Sequence, residues 1–464
     1  MSKELVKARI SKYDEQMKRK LVELGQSKKE YRHILAYLEG EIKQSTQMCT
    51  FDYSILCFKN DGVYQLNKAI EEIYGVSKGK TESTPSGEDT KIQTVDVQLA
   101  DGTRLKVPYG KIELPEAGEG ANITISYSND TNHLIIRGAC EYRFSSMIDD
   151  IVERTSQLLT TSSIYKNQAI ELSENCTPKI MDLSNIDKEF MVLSDRTEYD
   201  LQPLRSRLLH PTRCIEKGIS LKYGCLMEGP YGTGKTLLAF KLAKDAIDNG
   251  WVFMYLKTPE MLAQTLRLAK SIDKNGHGVV IFVEDIDQVT RGNRDSAMQD
   301  ILNTLDGGDT KQMNVISLFT TNHIELIEPT FLRGKRIGSI ISLGFLDAKT
   351  AKKFVSETFT KDGYVIDEAG IDEVYSLIEK SDIAPAFMAE ITESVKSHMI
   401  LTDENVVKAD YLKNSVQSYL HQVELSRKKD MTETDEMRLA SSIRTIVTSE
   451  MKPVLDKIEN YICD

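Results

Sequence analysis

The stretch GCLMEGPYGTGKTLLAFKLAKDAI, Gly224 to Ile247, decides how the rest of the chain is read. An apolar run of strand character, GCLM, leads into Gly-Pro-Tyr-Gly-Thr-Gly-Lys-Thr at Gly229–Thr236, and a helix-period run follows. The motif fits G-x-x-x-x-G-K-[ST] at every position, in the strand-then-helix context it requires. Glycines let the chain wrap tightly and bring backbone N–H groups onto phosphate oxygens. The helix that begins near Lys235 adds the positive end of its dipole, Lys235 adds a full charge for the outer phosphates, and the Thr236 hydroxyl suits Mg2+. Gly229, Pro230, Tyr231, Gly232, Thr233, Gly234, Lys235, Thr236 and Leu237 are therefore the candidate nucleotide-binding residues.

A second site is needed if a bound nucleotide is to be hydrolysed, and GVVIFVEDID at Gly278–Asp287 offers it. Five apolar residues run into Glu284, Asp285 and Asp287. A buried strand delivers such carboxylates to the same sheet edge as a phosphate loop. One can orient Mg2+ and the next can polarise the attacking water. Thr236 and Glu284 are the candidate metal ligands and Glu284 and Asp285 the candidate catalytic carboxylates, with the division of labour between the pair left open.

Outward from these motifs, GCLMEG, WVFMYL, GVVIFV and NVISLFTT alternate with helical patterns, which predicts an α/β parallel sheet with helices on both faces, spanning 196–345. A helical segment is expected over 346–405 and a helical tail over 406–464. Upstream, residues 1–45 read as one long helix with an apolar stripe from Tyr13 to Ile42, suited to packing on its own domain or on a partner helix as a coiled coil. Its Lys3–Arg32 portion carries ten Lys/Arg against five Asp/Glu, so a basic arm for nucleic acid is the alternative reading. Between them, 46–195 reads as a small β-rich domain. YSILCF, TVDVQL, RLKVPY, NITISY and HLIIRG are separated by turn signals at Asp61-Gly62, Asp101-Gly102 and Asn129-Asp130, with a polar loop at Ser77–Thr90. A helix is expected from Ser145 to Leu159, then short strands near Gln168–Leu172 and Glu189–Leu193.

Composition removes other classes. The 464 residues carry 59 Lys/Arg and 70 Asp/Glu, a net charge of −11, which argues against a generic basic coat for nucleic acid. No apolar run is long enough for a bilayer, and the opening MSKELVKARISKYDEQ has no apolar core of a secretory leader, so a cytoplasmic protein with no membrane partner is expected. Seven scattered cysteines without a CxxC, and dispersed histidines without HExxH, point to reduced thiols and no metal beyond Mg2+.

With these motifs placed, residues 201 to 400 resemble an AAA ATPase module: a P-loop parallel sheet plus a helical lid. His210-Pro211 and GISLKYGCLMEGP resemble the family's approach to its phosphate loop, RDSAMQDILNTLDG from Arg294 the helix after its acidic strand, and TTNHIELIEPTFLRGKR its second region of homology. The resemblance implies ATP and Mg2+ as cofactors and Asn322 as the sensor that positions the attacking water. It implies Arg333 and Arg336 as arginine fingers reaching into a neighbouring subunit, whose planar forks suit the charge of a transferring phosphoryl group. Fingers in trans imply a homo-oligomeric ring, most often a hexamer in this family.

Departures from the family pattern are informative. The acidic pair runs Glu284-Asp285 rather than Asp-Glu, an order similar to that of Bcs1-type translocases. The finger loop reads LRGKR rather than LRPGR, and Ala384-Pro385-Ala386 replaces the Gly-Ala of the lid. Pro259-Glu260-Met261-Leu262 runs straight into AQTLRLAKSI without the aromatic pore loop of threading motors. The expected function is Mg-dependent ATP hydrolysis by a ring that remodels a protein or macromolecular complex. The alternatives are a nucleic-acid-associated motor and an ATP-stabilised scaffold with little turnover.

Overall fold

The computed structural model describes residues 43–75, 93–173, 176–272, 278–287, 314–332 and 336–425, together with residues 15, 16, 19 and 40. Most of the expected 1–45 helix, the Ser77–Thr90 loop, the segment from Arg294, Arg333 and the tail beyond 425 lie outside the described residues. The chain groups into two units, one of Met1–Glu189, Asp195–Gly229 and Lys235–Leu343, the other of Phe190–Ser194, Pro230–Gly234 and Gly344–Asp464.

The first unit opens with strand β1 (Met48–Leu56), a helix at Lys59–Ile73, the hairpin β2 (Thr94–Gln98) and β3 (Arg104–Pro108), then β4 (Gly110–Glu113), β5 (Asn122–Ser128) and β6 (His133–Glu141). β1, β6, β5 and β4 form an antiparallel sheet in that order. Strand β5 buries Ile123 and Ile125 and leaves its alternate positions half-buried, the period-two pattern of a sheet with one covered face. The cover is supplied by the Lys59–Ile73 helix, which buries Val63, Leu66 and Ile70, and by a helix at Ser145–Thr161, which buries Met147, Ile148 and Ile151.

Asp61-Gly62 is not a turn: it lies in the first helical turn of Lys59–Ile73. Asp61 is buried and accepts from Ser163 Oγ at 2.5 Å, Ile164 N–H at 3.2 Å and Gln65 Nε2 at 3.2 Å. A Cβ on Gly62 would meet Cys57 Sγ at 2.4 Å. The dipeptide marks close approach, not chain reversal. Asp101-Gly102 and Asn129-Asp130 do turn the chain between β2 and β3 and between β5 and β6.

Strands β7 (Ala169–Leu172) and β8 (Pro178–Ile180) follow, then helices at Asp195–Leu209 and Pro211–Glu216, then β9 (Tyr223–Glu228). A helix at Lys235–Asp248 leads to β10 (Val252–Leu256), a helix at Leu262–Ile272, β11 (Val279–Val283), β12 (Val315–Thr321) and β13 (Ser339–Ser342). These strands form one seven-stranded sheet in the order β13-β9-β12-β11-β10-β7-β8. Every neighbouring pair is parallel except β7–β8. β11 and β12 are buried at every position, as expected where both faces are covered. The strand expected near Glu189–Leu193 is not formed. The antiparallel partner of β7 is Pro178–Ile180 instead, an edge strand whose first residue is a proline with no N–H to offer the ladder. Both β7 and β8 are read from sequence with the β-rich 46–195 segment, yet they extend the sheet of the phosphate loop.

In the second unit, helices at Ala348–Lys361, Ile371–Lys380, Pro385–Thr402 and 409–425 pack around Phe354, Phe359, Ile378, Met388, Val395 and Leu412. Asp347 caps the first of them by accepting from Thr350 N–H at 2.6 Å. The region after Leu346 is not wholly helical: β14 (Val365–Ile366) and β15 (Val406–Val407) form a short parallel ladder. Phe190 and Val192 join this core, Phe190 edge-on to Phe354 at 5.0 Å, which is why the apolar 189–193 run makes no strand.

Candidate functional site

Parallel pairing brings the C-terminal ends of β9, β12 and β11 to one sheet edge. Thr321 is level with Glu228 across β12–β9, and Val283 with Phe319 across β11–β12. Gly229, Asn322 and Glu284 are the residues that leave these strand ends, which is the crevice where ligands of such sheets bind. Gly229 N–H donates to Thr321 O at 3.3 Å, and Lys235 Nζ donates to Gly229 O at 2.7 Å.

The crown of the loop, Pro230–Gly234, belongs to the second unit. Gly232 and Gly234 take φ of 78° and 92°, a region that glycine enters without penalty. Gly232 O accepts from Ala386 N–H at 3.1 Å, and a Cβ on Gly232 would meet Ala386 Cβ at 3.3 Å. Thr233 Oγ1 donates to Pro230 O at 2.8 Å and tightens the loop from within, whereas Tyr231 stands exposed. Leu237 lies in the first turn of the Lys235–Asp248 helix.

In the first unit, the two carboxylates part company. Glu284 accepts from Thr236 Oγ1 at 2.6 Å on one oxygen and from Tyr255 OH at 2.5 Å on the other. Asp285 instead accepts from Asn322 Nδ2 at 3.0 Å, while its own N–H donates to Thr320 Oγ1 at 3.0 Å. Asp285 takes φ of 44°, a left-handed conformation that Asp tolerates better than most side chains. Asp287, buried at 3% exposure, accepts from Thr321 Oγ1 at 2.9 Å and so braces the strand end.

The electrostatics follow from burial. Lys235 is buried, and desolvation lowers its pKa, with Asp285, Glu228 and Asp287 opposing the fall. Burial raises the pKa of Glu228, against the pull of Lys235. Tyr255 is raised by burial and then by its bond to Glu284, so the phenol stays a donor.

Of the predicted site residues, Thr236 meets Glu284 and Asn322 meets Asp285. Arg336 is a residue of the loop between β12 and β13 and donates from Nη1 to Thr330 O at 2.5 Å. Arg333 lies outside the described residues. Sequence reading misses Tyr255, Thr320 and Thr321. An isolated Tyr or Thr in an apolar strand carries no local signal; only the register shows that these three end beside the acidic pair. Among the described residues no group of three or more His, Cys, Asp or Glu gathers to hold a metal, and no helix is long and apolar enough to cross a membrane.

A phosphate loop at the edge of a parallel sheet, joined to a helical unit, defines the P-loop α/β fold of an AAA module. Residues 225–345 match the family described as ATPase family associated with various cellular activities (AAA). The chain is 28% identical over 242 residues to the ATP-dependent zinc metalloprotease FtsH of Mesoplasma florum, covering 50% of this chain and 34% of that protein. It is 26% identical over 242 residues to proteasome-activating nucleotidase 2 of Haloferax volcanii, covering 48% of this chain and 55% of that protein. The chain thus spans about a third to about half the length of these relatives. The similarities support an ATPase of the AAA class.

Proposed function

We propose that this protein hydrolyses ATP with Mg2+ and works as a homo-oligomeric ring, a hexamer by resemblance, that remodels a protein or macromolecular complex in the cytoplasm. The observation that carries the reading is the paired contact at the strand edge: Thr236 on Glu284 and Asn322 on Asp285, with Lys235 at the foot of the same loop. The donor set fits Mg2+, which is usually held by one or two protein oxygens together with phosphates rather than by a protein cage. Thr236 and Glu284 would hold it, and the ion would supply charge neutralisation for the outer phosphates.

In this reading the glycine-rich loop and Lys235 bind the phosphates. Asp285, oriented by Asn322, accepts a hydrogen bond from the attacking water and takes its proton. These contacts support one division of the reversed pair, with Glu284 on the metal side and Asp285 on the water side. Arg333 and Arg336 would reach the neighbouring subunit's γ-phosphate; for Arg336 this means leaving its bond to Thr330 O. The scarcity of a gripping loop supports remodelling over threading: Met261 and Leu262, where a threading motor carries its aromatic grip, are buried.

Steady-state phosphate release from assembled protein tests the proposal. Wild type is expected to turn over, Lys235→Ala and Asp285→Asn to lose turnover, and Arg333→Ala to regain part of it when mixed with Lys235→Ala subunits. No release from assembled wild type with Mg-ATP sinks the hydrolase reading, and no rescue on mixing sinks the trans-acting fingers.

A further inference from the structure

At the far edge of the seven-stranded sheet from β9 lies a cavity of about 430 Å3, formed by β8, the β2–β3 hairpin, the start of the Lys59–Ile73 helix and Tyr165. Its size falls in the range of small-molecule sites. Arg104, Lys106 and Lys179 line it, against a single carboxylate, Asp96. None of the three cations forms an ion pair with a described residue. A local excess of positive charge in a chain of net charge −11 is not the average surface of this protein.

Two further features face the same space. The Lys59–Ile73 helix has no side-chain cap at Phe58, and Asn60, in its first turn, lines the cavity. The first N–H groups have no cap from Phe58; Asp61 in the same turn is turned to Ser163, Ile164 and Gln65, and Asn60 Nδ2 donates to Asp96 O at 3.4 Å, leaving its second amide hydrogen for a ligand. Tyr165 is 3% exposed, and its ring is fixed edge-on against Phe58 at 5.4 Å. Tyr165 lines the cavity, and its hydroxyl makes no hydrogen bond to a described residue. A hydroxyl in that position is free to donate to a ligand in the cavity.

We infer that this cavity binds a small organic phosphate monoester. Arg104 offers a planar fork to two phosphate oxygens, Lys106 and Lys179 offer point charges, and Asn60 and Tyr165 offer neutral donors. Val97 and Ile180 give the organic body an apolar wall. The site is separate from the phosphate loop and does not depend on ATP hydrolysis.

The probe is phenyl phosphate, titrated by calorimetry into full-length chain carrying Lys235→Ala, so that the phosphate loop does not compete. Saturable one-to-one binding is expected. Affinity should fall about tenfold or more in Arg104→Ala/Lys179→Ala, and severalfold in Tyr165→Phe, which keeps the ring and removes only the hydroxyl. Both cations are exposed, so the double variant should keep its wild-type thermal transition. Absence of saturable binding, or binding unmoved by Arg104→Ala/Lys179→Ala, overturns the inference, whatever the outcome for ATP turnover.

Discussion

Tyr255→Phe isolates one atom of the candidate site. The ring is held by neighbours that the substitution does not touch: it stacks on Phe282 at 5.4 Å with an interplanar angle of 22° and meets Phe240 edge-on at 5.6 Å. What is lost is the hydroxyl that donates to Glu284 Oε2 at 2.5 Å. A hydrogen bond to a charged group contributes about 1.5–3 kcal/mol. Tyr255 and Glu284 are both half-buried, so water replaces part of it and about 1–2 kcal/mol remains. That is roughly a 5–30-fold effect. Because Glu284 also receives Thr236, the effect should fall on Mg-dependent nucleotide binding and leave Mg-free binding as it was. Fluorescent ATP-analogue titrations with and without Mg2+ measure the two arms. The phenol's raised pKa keeps it protonated, so the penalty should be the same from about pH 6 to 9. Equal loss in both arms, or no loss with Mg2+, refutes Tyr255 as the residue that positions Glu284.

Asn322→Ala removes the donor that orients Asp285 and should lower turnover roughly 10²–10³-fold with nucleotide affinity kept; a matching fall in affinity would place Asn322 in binding instead. Asp61 is pushed up from 3.8 to about 6 by burial, against the bonds it accepts. Its folded pKa lies above the unfolded value, so its favourable contribution is full below about pH 4 and is lost as pH rises through about 6, a swing of about 3 kcal/mol. Denaturant unfolding should show wild type losing that much ground to Asp61→Asn between about pH 4 and 7, and a pH-independent gap would contradict the assignment. Gly224→Ala would place a Cβ 1.8 Å from Arg336 O, forcing the chain that enters β13 off β9. Thermal and denaturant unfolding should show a loss of about 1–3 kcal/mol, whereas a neutral result would mean this approach is not tight.

The glycine-rich loop stands out in the sequence because the chemistry proposed for it is local. Backbone N–H groups, a lysine and a hydroxyl must follow one another along the chain to surround one phosphate, so the motif survives in the sequence unbroken. The acidic strand was legible for a related reason: a fully buried strand reads as an apolar run, and carboxylates at its end stand out. What stayed hidden depends on pairing between distant segments. Tyr255 reaches Glu284 only because β10 and β11 run parallel with Tyr255 level with Phe282. Strands β7 and β8 look like any short edge pair until β10 claims β7. The Lys59–Ile73 helix was masked by Asp61-Gly62, where a buried carboxylate and a close packing contact use the same two letters as a turn.

The Glu-Asp order of the acidic pair follows from where the chain turns. Glu284 still lies in the line of β11, one residue past Val283, and must reach sideways to the first turn of the Lys235–Asp248 helix and to β10. The longer side chain spans that gap and receives both Thr236 and Tyr255. Asp285 is the residue that turns, with φ of 44°, and its N–H is pinned by Thr320. At a left-handed position a short side chain that can bond locally is tolerated, whereas a longer one is penalised by about 1–2 kcal/mol. An Asp there also sits close enough to take Asn322 directly at 3.0 Å, without the extra methylene that a Glu would have to fold away. The reversed pair is thus the arrangement this backbone calls for, with reach assigned to the residue before the turn and compactness to the residue in it.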